Sequence, residues 1–299
     1  MARACSRLVS VLCSTTAAGM LAACGGGGGA DAAPESTAAP TSLSGSVVKG
    51  PVSGATVTAY AVSGGTMGAQ LGTAVTDPQG AFTMPMGASA GAVMLQMAGG
   101  SYVDEATGAT VTMGPGQVMT AVLSSLASGT ASVQVTPLTA MAQAMAARLP
   151  GGLTPANIDA ANAAVGSYFL VSDIVHTRPM NPLVSGAAVG ATAAMMNYGI
   201  ALAAMSQYAK EAGVSSPVLV GAMMQDAADG VLDGKAGTTP IALGSGMMGA
   251  GMMQSTVGGT GLASAMANFM NGAANRSGLT PASMTPLMQQ LTTATGRMR

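Results

Sequence analysis

Charge is what this sequence lacks. Asp, Glu, Lys and Arg make up 7% of its 299 residues, 10 basic and 11 acidic, and histidine occurs once, while the AVILMFWYC group reaches 49%. No cluster of Lys or Arg occurs, so nothing in the chain follows a phosphate backbone and no nucleic-acid partner is expected. The lone histidine, His176, cannot build a two-histidine zinc centre, and no metal or other cofactor is expected. General acid–base work needs positioned titratable groups, and their scarcity counts against an enzyme. Cysteine is confined to Cys5, Cys13 and Cys24. No intrachain disulfide is expected, and the fold must stand on its core.

What is present begins with Arg3 and Arg7, an apolar run from Leu8 to Leu21, and then Leu21-Ala22-Ala23-Cys24 followed by Gly25 to Gly29. A charged start, an apolar middle and small residues before a cut form the layout of an export signal. The stretch resembles the bacterial lipoprotein signal. That resemblance implies that residues 1–23 leave and that Cys24 becomes the first residue and carries the lipid, with the membrane as partner through this anchor. Gly25, where some Gram-negative lipoproteins carry Asp, points by the same resemblance to the outer membrane. Loss of Arg3 and Arg7 leaves eight basic against 11 acidic residues, a net charge of −3. Residues 24–43, rich in Gly, Ala and Pro, read as a flexible linker.

From Ser44 the texture changes to short β-type runs at about ten-residue spacing, among them Ala55 to Tyr60, Leu71 to Thr76, Val93-Met94-Leu95 and Val118 to Leu123. Several alternate with period two, and Gly, Pro and Asp divide them. An antiparallel β-sandwich of seven or eight strands is expected over 44–136. Gly45-Ser46-Val47-Val48-Lys49-Gly50-Pro51-Val52-Ser53-Gly54-Ala55-Thr56-Val57, followed by Thr76-Asp77-Pro78-Gln79-Gly80-Ala81-Phe82, resembles the carboxypeptidase-regulatory-like domain, a transthyretin-like sandwich. The resemblance implies a structural or binding attachment and no peptidase activity.

At Thr136-Pro137 the period becomes helical, with Thr136 as cap and Pro137 at the first helical position. About six helices are expected over 137–299: one on Leu138, Met141, Met145 and Leu149, a second from Thr154-Pro155, a third from about Gly186 to Ala212, a fourth from Ser216-Pro217 to near Gly230, and two near Leu262–Phe269 and Leu287–Leu291. The uncharged spans Pro179–Ala209 and Ala236–Asn275 contain polar or glycine interruptions and read as buried helices rather than membrane spans. The fold class is thus α+β with two segregated domains. This two-part layout is similar to that of uncharacterised bacterial lipoproteins.

Chemical motifs are sparse. Gly87-Ala88-Ser89-Ala90-Gly91 matches a nucleophile elbow but lies between strand-like flanks, not before a helix. Ser46-Val47-Val48-Lys49 has Ser-x-x-Lys spacing, but in a strand residues three apart face opposite sides. His176 falls in an inter-helix loop with no nucleophile placed near it. The methionine pairs Met247-Met248 and Met252-Met253 raise a thioether copper site, against their use as core filler.

Two acidic groups remain as candidate interaction or structural residues. Asp104 and Glu105 read as a solvated hairpin tip. Asp226, Asp229 and Asp233 surround the end of the fourth helix, where the dipole disfavours negative charge. Lys235, a backbone amide cluster or a bound cation could compensate them, or water alone. The expectation is a lipid-anchored envelope protein with a binding or structural role and an envelope protein or polymer as partner. An envelope hydrolase and a Met-based metal-handling protein stand as alternatives.

Overall fold

In the computed structural model of the chain, residues 41–86, 91–126, 130–244, 251–255 and 261–299 are described. The signal, Cys24, most of the linker, Gly87 to Ala90 of the elbow-like pentapeptide and Met247-Met248 lie outside the described residues.

Among the described residues nine strands precede the first helix: β1 (Thr41–Val47), β2 (Thr56–Ser63), β3 (Thr66–Val75), β4 (Ala81–Met86), β5 (Val93–Ala98), β6 (Ser101–Val103), β7 (Thr110–Thr112), β8 (Val118–Leu123) and β9 (Thr130–Val135). They form a four-stranded antiparallel sheet in the order β3-β2-β5-β8, a three-stranded sheet β4-β1-β9, and the hairpin β6-β7. Inward residues of both larger sheets, such as Leu43, Val57, Met84 and Leu95, belong to one core. One ladder departs from the antiparallel expectation, because β1 pairs with β9 in parallel, from Ser42 opposite Thr130 to Val47 opposite Val135.

Local chemistry accounts for the turns. Asp77 Oδ1 accepts from the backbone N–H groups of Gln79 and Ala81, each at 2.8 Å. Gly80 closes that turn at φ +74, a conformation that side-chain-bearing residues rarely adopt. Chain reversal there delivers Phe82 to the core beside Gly45, where a Cβ would stand 1.9 Å from the Val133 carbonyl oxygen.

Six helices follow among the described residues: α1 (Pro137–Arg148), α2 (Pro155–Tyr168), α3 (Ala193–Ala212), α4 (Ser216–Ala227), α5 (Leu262–Asn271) and α6 (Thr285–Thr293), with a small ladder of β10 (Lys235–Ala236) and β11 (Thr239–Pro240) after α4. Thr136 and Thr139 form a reciprocal capping box and Pro137 opens α1. The third helix starts later than the periodicity implies. Thr192 caps it through Met195 N–H at 3.3 Å, and Gly186 and Gly190 at positive φ break the backbone upstream.

Helices α1 and α2 lie against β8, which is why five of its six residues are buried although the strand also faces the other sheet. Tyr198 of α3 ties the junction, its hydroxyl 2.5 Å from Thr136 Oγ1 and donating to the Ile174 carbonyl at 2.9 Å. One core runs from the sheets into the helices, and residues 38–299 form one compact unit. Among the described residues no helix is long and apolar enough to cross a membrane.

Candidate functional site

The site is built where three segments meet. Lys49 occupies the turn between β1 and β2, with Val48 and Pro51 bridged across it and Gly50 at φ +67. A Cβ on Gly50 would stand 2.7 Å from the Val103 carbonyl oxygen, so glycine lets this turn press against the β6–β7 hairpin. The tip of that hairpin carries Asp104 and Glu105. Helix α3 supplies Ser206, and the first residue of α4 is Ser216.

Their side chains converge in the interior. Lys49 Nζ donates to Glu105 Oε2 at 2.7 Å, to the Leu202 carbonyl at 3.1 Å and to Ser206 Oγ at 2.5 Å. Ser206 Oγ in turn lies 2.6 Å from Glu105 Oε2 and 2.8 Å from Asp104 Oδ2, and Ser216 donates to Asp104 Oδ2. The second Asp104 oxygen accepts from Ala106 N–H, Thr107 N–H and Thr107 Oγ1. Lys49, Asp104 and Glu105 are 1%, 2% and 3% exposed. The solvated tip expected from sequence is therefore overturned: helices α3 and α4 cover it, and hydroxyls and an ammonium replace the water.

Electrostatics follows from that enclosure. Burial pushes the Asp104 carboxyl up, but the Ser216 hydrogen bond, the Lys49 charge, Ser206 and Thr107 together hold it below its ordinary value. Tyr102 lies beneath Lys49, whose Nζ is 5.8 Å from the ring centroid. Its phenol is pushed far up by burial and then by the Glu105 and Asp104 charges, so it stays neutral.

The ion pair stands between two cavities. Lys49 and Tyr102 border one of about 840 Å³, an open pocket lined by the β7–β8 segment, the end of α1, helix α4 and residues 236–242. Glu105 borders another of about 300 Å³ on the side of Pro51, Pro78 and Pro179. The larger cavity is lined mostly by Ala, Val, Met, Ile and Gly with few polar side chains, and among the described residues no acidic one lines it. That composition and size are those of a site for a small apolar molecule.

The acids at and beyond the end of α4 do something different. Asp226 is fully buried, its Oδ1 accepting from the backbone N–H groups of Asp233, Gly234 and Lys235 at 3.0–3.2 Å, while Oδ2 has no partner. Asp229 accepts from Val231 N–H and, at 2.7 Å, from Gly237 N–H. Asp233 holds Lys235 N–H at 3.1 Å and faces the Lys235 ammonium at 4.0 Å. Of the compensating groups considered for Asp226 and Asp229, the structure supplies backbone amides, with the lysine paired elsewhere. Burial pushes Asp226 up to about 6 against the pull of those amides, with the Asp233 charge adding to the rise.

His176 is exposed in the loop after α2, its Nδ1 2.8 Å from Asp173 Oδ2. No nucleophile is expected near it from sequence, yet Ser124 and Ser125, at the end of β8, border the same cavity of about 500 Å³ as Asp173 and His176. Met252 and Met253 do not converge, the first being exposed and the second buried. Among the described residues no three His, Cys, Asp or Glu side chains gather closely enough to hold a metal ion. Sequence reasoning weighed Lys49 only for its spacing from Ser46 and missed its place as a buried cation, with Ser206 and Ser216 beside it. The only local signal of that place was a charged residue inside the otherwise apolar turn Val47-Val48-Lys49-Gly50-Pro51-Val52.

Two expectations follow from these geometries. Lys49→Met leaves two buried carboxylates without their cation and should cost roughly 3–5 kcal/mol at neutral pH. In the wild type the depressed Asp104 value contributes stability above about pH 4 that is lost as pH falls. In the variant acidification should instead narrow the deficit, as the stranded carboxylates take up protons. Urea unfolding at about pH 7 and about pH 5 checks this, and an equal deficit at both refutes it. For Asp226 the sign is opposite. Its folded value lies above the unfolded one, so stability falls as pH rises from about 4 to about 6, and the deficit is complete above that. Asp226→Asn keeps the Oδ1 acceptor and removes the charge, so it should gain on the order of 2 kcal/mol at about pH 7.5 and little at about pH 4. A loss at the higher pH would show that the carboxylate charge holds the loop.

No known protein family and no curated protein matches the chain. Among solved structures it is distantly similar to a DUF3823 family protein from Parabacteroides merdae, with TM-score 0.21 and 13% identity over 32% of this chain and 45% of that one. It is also distantly similar to a 9R-lipoxygenase from Cyanothece, with TM-score 0.21 and 10% identity over 67% of this chain and 26% of that one. The chain thus spans under half the length of either structure.

Proposed function

We propose that the protein is a non-catalytic binding protein of the cell envelope, held to the outer membrane through a lipid on Cys24, which takes a small apolar ligand in the larger cavity. The observation that carries the binding part is that cavity of about 840 Å³ with its largely apolar lining. Localisation rests on the sequence alone: the Arg-flanked apolar run, Leu21-Ala22-Ala23-Cys24 and the glycine-rich stretch after it. The carboxypeptidase-regulatory-like reading of residues 44–136 also rests on sequence, and it agrees with a binding role.

The two parts are tested separately. Cys24→Ala should abolish labelling by a fatty-acid probe and release the protein from the membrane fraction; labelling at the wild-type level rules out the anchor. For binding, the detergent-free Cys24→Ala chain should raise the fluorescence of N-phenyl-1-naphthylamine saturably at one site. A linear, unsaturable response rules out the pocket.

A second reading has its own observation. Asp173 holds the His176 ring at Nδ1, and both border the cavity that Ser124 and Ser125 also line, the residue types of a serine hydrolase. Under that reading a fluorophosphonate probe labels the protein, and His176→Ala abolishes the labelling. Absence of labelling in the wild type removes it.

A further inference from the structure

We propose that the ligand of the larger cavity is a single-chain amphiphile with a carboxylate head, held at the mouth by Arg148. This rests on the binding reading above and narrows it to a chemical class. Three observations carry it.

The first is charge. Lys49 and Arg148 border the cavity, and among the described residues no Asp or Glu does. Lys49 is spoken for, since Glu105, Ser206 and the Leu202 carbonyl take its three donors. Arg148 is exposed at the end of α1 and makes no ion pair among the described residues. One unpaired guanidinium beside an apolar chamber matches one negative charge at the end of an apolar body.

The second is the polar complement. Gln117 uses its carbonyl oxygen to accept from Gly114 N–H at 2.7 Å, which turns its amide nitrogen into the free end. Gln225 is exposed on α4 at the same cavity. Amide N–H groups and a guanidinium are donors, and a carboxylate is an acceptor at both oxygens. An amine head finds no acceptor side chain of opposite charge here.

The third is room. Gly221 lies in the middle of α4 on the cavity wall, where glycine weakens a helix relative to alanine. A Cβ there would meet nothing within 4 Å. No close approach or unusual backbone demands glycine at this position. What its missing side chain leaves is space in the cavity.

The test uses the full chain carrying Cys24→Ala, purified without detergent, with oleate, oleyl alcohol and oleylamine below their aggregation limits. Displacement of N-phenyl-1-naphthylamine and direct calorimetry are read together. The expected order is oleate tightest, the alcohol weaker and the amine weakest. Arg148→Gln should weaken oleate about fivefold and leave the alcohol unchanged, and Gly221→Phe should abolish binding of all three. Arg148 is at the surface, so that variant folds whatever becomes of the filled cavity, and circular dichroism verifies both.

Equal affinity for oleate and the alcohol, or an Arg148→Gln variant indistinguishable from wild type, overturns the carboxylate assignment while the cavity remains a binding site. If none of the three ligands binds saturably, or folded Gly221→Phe binds them undiminished, the pocket reading fails as well.

Discussion

Taking the Lys49 ammonium out of water costs several kcal/mol, and only a well-formed set of partners offsets that cost. Those partners come from far along the chain: Glu105 is 56 residues away, and the Leu202 carbonyl and Ser206 are 153 and 157 away. None is useful without the others, because Ser206 also bridges the two carboxylates and Ser216 holds the second of them. The turn after β1, the β6–β7 hairpin and the α3–α4 corner must therefore arrive together. Apolar packing between sheets and helices tolerates sliding, whereas a buried ion pair with three directional donors does not. The network joins the helical half to the sheets, and its two charged members each border one of the cavities.

Much of the architecture was legible in the sequence. Asp77-Pro78-Gln79-Gly80 specifies its own turn, Thr136-Pro137 its own helix start, and the alternation in β4 its own buried face. These signals are local, with cause and effect a few residues apart. What could not be read was tertiary. Nothing near Asp104 tells that α3 and α4 cover it, and an acidic dipeptide before Ala-Thr-Gly is ordinary for an exposed tip. The parallel pairing of β1 with β9 has no local signature either. The start of α3 was misjudged because its apolar period continues upstream, while Gly186 and Gly190 determine the backbone there. His176 was placed correctly in a loop, yet Ser124 and Ser125, which border the same cavity, follow a strand far earlier in the chain.

Scarcity of charge gives each remaining charge more influence. In a core of Ala, Val, Leu and Met there is little to screen a carboxylate, so Asp104 is held low by its donors, whereas Asp226, with one oxygen unpartnered, is pushed high. Asp104 has a cation and hydroxyls beside its backbone amides, whereas Asp226 has amides alone and the Asp233 charge against it. Both carboxyls tighten loops, but only the first joins the two halves of the molecule.

The place of β1 in its sheet has a mechanical meaning. It is flanked on one side by β4 and on the other by β9, so it has no free edge. A pull entering at Thr41 runs along the strand axis and must slide it past two ladders at once, which loads their hydrogen bonds in parallel rather than peeling them one after another. At the far end of the same strand the chain turns through Lys49, where the ammonium is clamped from three directions. Traction on this end of the body thus meets a sheared centre strand and, behind it, an ionic stop.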